Sequence, residues 1–165
     1  VRSDVVPGDM TYNDAYTLLP FANTLYLLDM TGAEVKQVLE DALVFALVSG
    51  STGAFPYGAG IRYEANQYKD KDGHRLVKVE IQDLEGNWSD IDVNKMYKVG
   101  TNAYIAGGKD GYKTFGEISR TRGGEDTYLP DAESLIKFMK LNPNFKSYTD
   151  SNVKFNFDPA NERKK

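Results

Sequence analysis

Apolar residues recur along this chain with two spacings, one typical of helices and the other of strands. The helical spacing is clearest between Val35 and Ala46, where apolar side chains fall on one face and polar ones such as Glu40 fall on the other. Thr31 and Glu34 have the arrangement of a capping box, so this helix is predicted to begin there. The sequence therefore predicts one long amphipathic helix that packs against a core.

Two shorter helices are predicted closer to the ends of the chain. The first follows Thr11, which can cap it, and ends at Leu19, because Pro20 cannot continue it. The second begins at Pro130-Asp131 and runs towards Pro143.

Several segments have the apolar runs or the alternation of strands. They are Thr24 to Met30, Ile61 to Tyr68, Leu76 to Asp83, Tyr97 to Ile105 and Asn152 to Phe157. An Asp-Gly step joins the second and third of these in an antiparallel hairpin, and the segment from Thr121 to Asp126 is expected to be an exposed loop. Together these elements predict an α+β fold with a mixed, largely antiparallel sheet and about three helices.

Composition narrows the function classes. The chain has 165 residues, 41% hydrophobic and 27% charged, which fits one domain with a core of its own. Its net charge of −4 makes a nucleic-acid polymer an unexpected partner, since such a partner needs a positive surface. No apolar run approaches the length of a membrane span. The absence of cysteine excludes disulfides, thiol catalysis and zinc bound by cysteine.

The single histidine, His74, lies in the charged turn from Lys71 to Arg75 and is expected to be solvated. A Ser-His-Asp triad or a His-rich metal cluster would need a histidine placed beside its partners. The chain also begins at Val1 without an initiator methionine, and we expect it to be part of a longer protein. We expect a domain over residues 1–157 and a polar tail over residues 158–165.

The corner around Pro20 is the first candidate binding feature. Proline fixes its own φ and restricts the residue before it, so Phe21 and Asn23 stand on a stiff turn. A flat aromatic face beside a side-chain amide suits a planar ring that forms hydrogen bonds. The alternative is that Phe21 caps the core and Asn23 starts a turn. The glycine-rich segment over residues 49–60 matches no phosphate-loop pattern, and it is either a flexible connection or the rim of a pocket.

Four motifs in one order carry a resemblance to a known family. They are Val1-Arg2-Ser3-Asp4, Gly8-Asp9-Met10-Thr11-Tyr12, Leu19-Pro20-Phe21-Ala22-Asn23 and Gly108-Lys109-Asp110-Gly111-Tyr112. In this order the chain resembles the C-terminal domain of the 5′-nucleotidase family, which includes UDP-sugar hydrolases and NAD nucleotidases. The resemblance implies a domain that binds the nucleoside part of a substrate.

The resemblance also implies a role for individual side chains. Phe21 and Tyr112 resemble the two rings that hold the base, and Asn23 resembles the side chain that forms hydrogen bonds to the edge of the base. Arg2 resembles an arginine that contacts the substrate phosphate. Glu117 is the nearest match in sequence to an acid that contacts the ribose.

Two positions depart from the family pattern. The family's Gly-Gly-Asp-Gly becomes Gly108-Lys109-Asp110-Gly111, which places a lysine beside the base site. The family's Phe-Gly-Asn becomes Phe21-Ala22-Asn23. We interpret Asp110 as a turn-forming residue rather than a ligand.

At the level of the whole protein, the resemblance implies a hydrolase that cleaves a 5′-nucleotide, or the pyrophosphate of NAD or a UDP-sugar. Its partner would be an N-terminal metallophosphoesterase domain of the same chain with two divalent metal ions. This domain would hold no metal or cofactor and would hydrolyse nothing alone. A periplasmic, cell-surface or secreted location is implied. The alternatives are a non-catalytic nucleoside-binding module and a 2′,3′-cyclic-nucleotide phosphodiesterase.

Overall fold

The computed structural model describes residues 8–144 and 151–156 of the chain. The helices of this part are α1 (Tyr12–Leu18), α2 (Gly32–Val48), α3 (Ala103–Ala106), α4 (Lys113–Thr121) and α5 (Asp131–Leu141). Its strands are β1 (Thr24–Thr31), β2 (Ile61–Asn66), β3 (Leu76–Gln82), β4 (Trp88–Asp90), β5 (Met96–Asn102), β6 (Glu125–Pro130) and β7 (Val153–Asn156). A short 3-10 helix, Thr52–Ala54, precedes β2.

The strands form two small sheets. In the first, β1 lies between β5 and β6 and is antiparallel to both. The second has the order β4-β3-β2-β7, in which only β2 and β7 run parallel. The predicted α+β class with mixed, largely antiparallel pairing is confirmed. The strands are nevertheless divided between two sheets, and the described residues contain more helices than the sequence predicts.

Helix α2 contributes to both hydrophobic clusters of the core. Val35 and Val38 belong to a cluster that includes Leu28 of β1. Leu39 and Leu43, on an adjacent face, belong to a cluster formed with the second sheet. One amphipathic helix therefore holds the two sheets together.

The start of α2 is where the capping box predicts it. Thr31 Oγ1 accepts a hydrogen bond from the backbone N–H of Glu34, and the Glu34 carboxylate accepts one from the backbone N–H of Thr31. The spacing places Glu40 on the polar face of α2, opposite the apolar one, but this side chain is buried. Its Oε1 accepts hydrogen bonds of 2.7 Å from the backbone N–H groups of Arg75 and Leu76. Glu40 thus ties α2 to the β2–β3 hairpin.

Two predicted boundaries also differ from the structure. The strand from Tyr97 to Ile105 ends at Asn102, because the Asn102 side chain accepts a hydrogen bond of 2.9 Å from the Ile105 N–H and caps α3. Of the loop predicted from Thr121 to Asp126, only residues 122–124 are a loop, since Thr121 ends α4 and Glu125 begins β6 at the edge of the first sheet. Helix α4 has no counterpart among the predicted elements.

The remaining features agree with the prediction where they are described. His74 is exposed at the turn of the β2–β3 hairpin. The last predicted strand is present as β7, whereas Phe157 and the tail over residues 158–165 lie outside the described residues. Over residues 8–144 and 151–156, no helix is both long and apolar enough to cross a bilayer.

Candidate functional site

A cleft of about 1090 Å³ lies beside α2 and is lined by separate segments of the chain. Its walls include the corner between α1 and β1, the glycine-rich loop over residues 49–60, strand β5 and the turn before α4. Phe21 and Asn23 line it from the corner, and Tyr112 lines it from the turn. The structure thus brings these three predicted residues to one cavity.

The corner that carries Phe21 and Asn23 is fixed by its backbone. Ala22, between them, has a φ of 52°, in the left-handed region that non-glycine residues rarely adopt. The Asn23 carbonyl accepts a hydrogen bond of 2.8 Å from the N–H of Asp131, which joins the corner to the start of α5. Phe21 is 58% exposed and lines the cleft. It therefore does not cap the core.

Tyr112 forms part of the inner wall of the cleft. It is 9% exposed, and its ring stacks on that of Phe115 with centroids 5.8 Å apart and planes at 19°. Its hydroxyl donates a hydrogen bond of 3.0 Å to the carbonyl of Ala54 in the glycine-rich loop. Burial raises the pKa of Tyr112 to about 12, so the hydroxyl remains a neutral donor at physiological pH.

The turn before Tyr112 depends on Gly111. Its φ is 82°, and a Cβ at this position would lie only 2.3 Å from the Cβ of Phe45. Any side chain here would therefore collide with α2 and displace the turn. The approach of this turn to α2 is what places Tyr112 at the inner end of the cleft.

Charged side chains in the described lining are few. Lys98 forms an ion pair of 3.2 Å with Asp29, and both partners are exposed. Asp110 accepts a hydrogen bond of 3.3 Å from the Tyr104 hydroxyl, and the negative charge of Asp110 raises the pKa of Tyr104. Asp131 is the other carboxylate of this lining. The walls therefore suit recognition of rings and hydrogen-bonding groups better than capture of a phosphate.

The other two predicted site residues are not brought to this cleft. Glu117 is exposed on α4 and lines a separate groove of about 400 Å³, beside the ion pair between Arg122 and Glu34. Arg2 lies outside the described residues.

Sequence reasoning did not identify four aromatic residues of the lining as candidates, namely Tyr57, Tyr97, Tyr104 and Phe115. Tyr104 was predicted within a strand, but it lies on α3 beside Asp110. Tyr57 lies in the segment over residues 49–60, which lines the cleft and is therefore a rim rather than a connection alone. The two aromatic residues within this glycine-rich segment, Phe55 and Tyr57, are the sequence signal for that rim.

The side chains of the described part do not form a metal site. Over these residues there is no group of three or more His, Cys, Asp or Glu side chains that could hold an ion.

The comparison with protein families shows to which family the chain belongs. The family model for the C-terminal domain of 5′-nucleotidase matches residues 1–117 of the chain. The chain belongs to this family. The family assignment made from the four motifs is thereby confirmed.

Relatives in the family are much longer than this chain. A probable 5′-nucleotidase of Treponema pallidum is 64% identical over 154 residues, which is 93% of this chain and 26% of that protein. An NAD 5′-nucleotidase of Haemophilus influenzae is 65% identical over 159 residues, again 26% of its length. The chain thus spans about a quarter of the length of these relatives.

Solved structures share the same fold. The structure of Haemophilus influenzae NAD nucleotidase superposes with a TM-score of 0.92 at 64% identity, covering 96% of this chain and 28% of that one. A 5′-nucleotidase precursor from Thermus thermophilus superposes with a TM-score of 0.79 at 26% identity, covering 96% of this chain and 30% of that one.

Proposed function

We propose that this chain binds the base of a nucleotide between Phe21 and Tyr112 and serves as the substrate-binding domain of a 5′-nucleotidase. The observation that supports this is the convergence of Phe21, Asn23 and Tyr112, from two separate segments, on one cleft. Stacking on an aromatic ring contributes about 1–3 kcal/mol per base and tolerates different bases. The two rings therefore supply affinity rather than selectivity.

Asn23 adds hydrogen bonds at the edge of the base in this proposal. Its backbone carbonyl accepts a hydrogen bond from the Asp131 N–H, which fixes the backbone at Asn23. The side-chain amide supplies both a donor and an acceptor for the base. Arg2 remains the proposed phosphate contact, because guanidinium forks match phosphate oxygens. Glu117 is left out, since it lines the other groove.

For the whole protein we propose hydrolysis of a 5′-nucleotide or of a dinucleotide pyrophosphate, as the names of the relatives suggest. Water activated by two divalent metals would be supplied by an N-terminal domain of the same chain. On this proposal the present chain alone binds nucleosides without cleaving them. A periplasmic or cell-surface location is part of the same proposal.

Titration of the chain with adenosine, followed by the NMR signals of aromatic side chains, tests the base site. We expect saturable shifts in the wild type and at least tenfold weaker binding in Phe21→Ala. Because Phe21 is exposed, this substitution removes the ring with little effect on folding. Phe138→Ala is a matched control, since Phe138 is 48% exposed and lies outside the cleft lining.

A more conservative substitution is required at Tyr112, because this residue is part of the core. Tyr112→Leu keeps most of the apolar volume and removes the stacking face, and circular dichroism would show that the variant is folded. Weak binding by both the Phe21 and Tyr112 variants, with normal binding by Phe138→Ala, is the expected result. A folded wild type that shows no shifts at millimolar adenosine would contradict the proposal.

A further inference from the structure

The glycine-rich loop carries an aromatic side chain that the proposed base site does not use. Tyr57 lines the cleft and is 81% exposed. Its ring rests against Phe55, with centroids 5.1 Å apart and planes at 47°. Phe55 in turn meets Phe155 edge-on at 5.8 Å. Tyr57 therefore stands on a packed aromatic support and presents most of its surface to the mouth of the cleft.

The loop is held in place despite its glycines. The buried hydroxyl of Tyr112 donates to the carbonyl of Ala54 at 3.0 Å, and that of Tyr63 donates to the carbonyl of Pro56 at 2.9 Å. Buried hydrogen bonds on both sides of Phe55 fix the backbone that leads to Tyr57. A ring that is positioned before binding loses little conformational entropy when a ligand contacts it.

The same contacts limit the distance between Tyr57 and the base site. Ala54, which accepts the hydrogen bond from Tyr112, lies three residues before Tyr57, and three residues span at most about 11 Å. The cleft thus extends from the buried Tyr112 to the exposed Tyr57. Its volume of about 1090 Å³ slightly exceeds the 300–1,000 Å³ that is usual for a small-molecule pocket. A ligand with its base at the inner end has room for another ring at the mouth.

We propose that Tyr57 stacks on the second ring of a dinucleotide, the planar group beyond the pyrophosphate from the base that Phe21 and Tyr112 hold. This inference rests on the proposed function, which includes a dinucleotide among the substrates. The described lining favours a ring here, because Tyr57 presents an exposed aromatic face at the mouth of the cleft. Tyr57 therefore distinguishes dinucleotides from mononucleotides.

Binding of adenosine and of NAD to the same variants tests this role. The chain is titrated with each ligand in the presence of EDTA, as wild type, Tyr57→Ala, Tyr57→Phe and Phe21→Ala. Tyr128→Ala is the matched control, because Tyr128 is 82% exposed and lies outside the cleft lining. Loss of one stacking contact corresponds to about a fivefold to 150-fold increase in Kd.

We expect Tyr57→Ala to weaken NAD binding by about that factor and to leave adenosine binding unchanged. Tyr57→Phe should behave as the wild type, and Phe21→Ala should weaken both ligands. Equal losses for both ligands in Tyr57→Ala would place Tyr57 in the base site, and no loss for either would show that it makes no contact. Either result overturns the inference while leaving the base site intact. A wild type that binds neither ligand overturns the proposed function, and the inference with it.

Discussion

Ala22 and Asp110 have backbone conformations that L-residues seldom adopt, and they lie within two residues of side chains that line the cleft. Each has a φ of 52°. A non-glycine residue in this region is destabilised by about 1–2 kcal/mol. Ala22 separates Phe21 from Asn23, and Asp110 lies two residues before Tyr112. Two of the three non-glycine residues with positive φ in the described part thus adjoin the cleft, and the third, Tyr128, lies outside its lining.

Replacement of Ala22 by glycine should raise the stability of the chain. Glycine relieves about 1–2 kcal/mol of left-handed strain, while its more flexible unfolded state costs about 0.4–1 kcal/mol. We expect a net gain of about 0.5–1 kcal/mol in the free energy of unfolding, measured by urea denaturation. Ala33→Gly is the control, because Ala33 is exposed in the first turn of α2 and the same change should destabilise there. A loss of stability in Ala22→Gly would show that the corner is not strained.

Tyr112 should make stability depend on alkaline pH. Its folded-state pKa is raised to about 12 by burial, above its ordinary value near 10, so the folded state holds the proton more tightly than the unfolded state. The contribution is present in full below pH 10 and is lost as the pH rises towards 12. Urea denaturation at steps from pH 9 to 12 should show this decline.

The substitution Tyr112→Phe removes the hydroxyl and keeps the aromatic ring. The variant loses the hydrogen bond to Ala54, which costs about 1 kcal/mol at neutral pH, and its stability should fall less steeply between pH 10 and 12. Tyr16→Phe is the control, since Tyr16 is exposed and its hydroxyl contact with Glu133 is 3.5 Å long. An unchanged pH profile in Tyr112→Phe would mean that this hydroxyl is not the group that titrates.

The long-range hydrogen bonds of Glu40 connect α2 with the β2–β3 hairpin. Glu40→Ala leaves the N–H groups of Arg75 and Leu76 without their acceptor, and each buried orphan costs about 1–3 kcal/mol. We expect a loss of about 2–4 kcal/mol in the free energy of unfolding. Lys36→Ala, on the exposed face of the same helix, should change it by less than about 0.5 kcal/mol.

Local signals explain which elements could be predicted from sequence. The capping box of Thr31 and the apolar run of β1 are complete within a few residues, so α2 and β1 were predictable. Helix α4 has no side-chain cap at Tyr112, and its buried residues are only Phe115 and Ile118. The edge strand β6 begins with three polar residues and is defined by pairing with β1, about a hundred residues earlier. Pairing of this kind leaves no local pattern.

Local signals also explain which residues of the cleft could be predicted from sequence. Phe21, Asn23 and Tyr112 could be named because short motifs surround them, and the structure places all three on the cleft. The burial of Glu40 could not be predicted, since its acceptor role depends on a hairpin more than thirty residues away. Sequence distance from Tyr112 favours Glu117, but the direction of α4 carries it to the other groove.

Helix α2 makes the stability of each sheet depend on the other. Its Val35 and Val38 pack with the first sheet, and its Leu39 and Leu43 pack with the second. The cleft is lined by Val35, Val38 and Leu39 of this helix, so it lies where the two clusters meet. Disruption of either cluster should therefore affect the other and the cleft between them.

Unfolding of the two sheets should accordingly be a single transition. Trp88, the one tryptophan of the chain, reports on the second sheet by fluorescence, and the amide signal of Leu28 reports on the first. Leu43→Ala removes a fully buried side chain from the second cluster and should cost about 2–5 kcal/mol. We expect both probes to shift to the same lower urea midpoint.

Val48→Ala, at the exposed end of α2, serves as the control and should move neither midpoint appreciably. Coincident transitions in Leu43→Ala would show that α2 transmits the defect from one cluster to the other, because a helix shared by two cores cannot lose one of them and remain packed on the other. A Leu28 signal that persists after the Trp88 transition would instead mean that the first sheet folds independently. The cleft would then lie between two separate folding units, and its geometry would vary with their relative position.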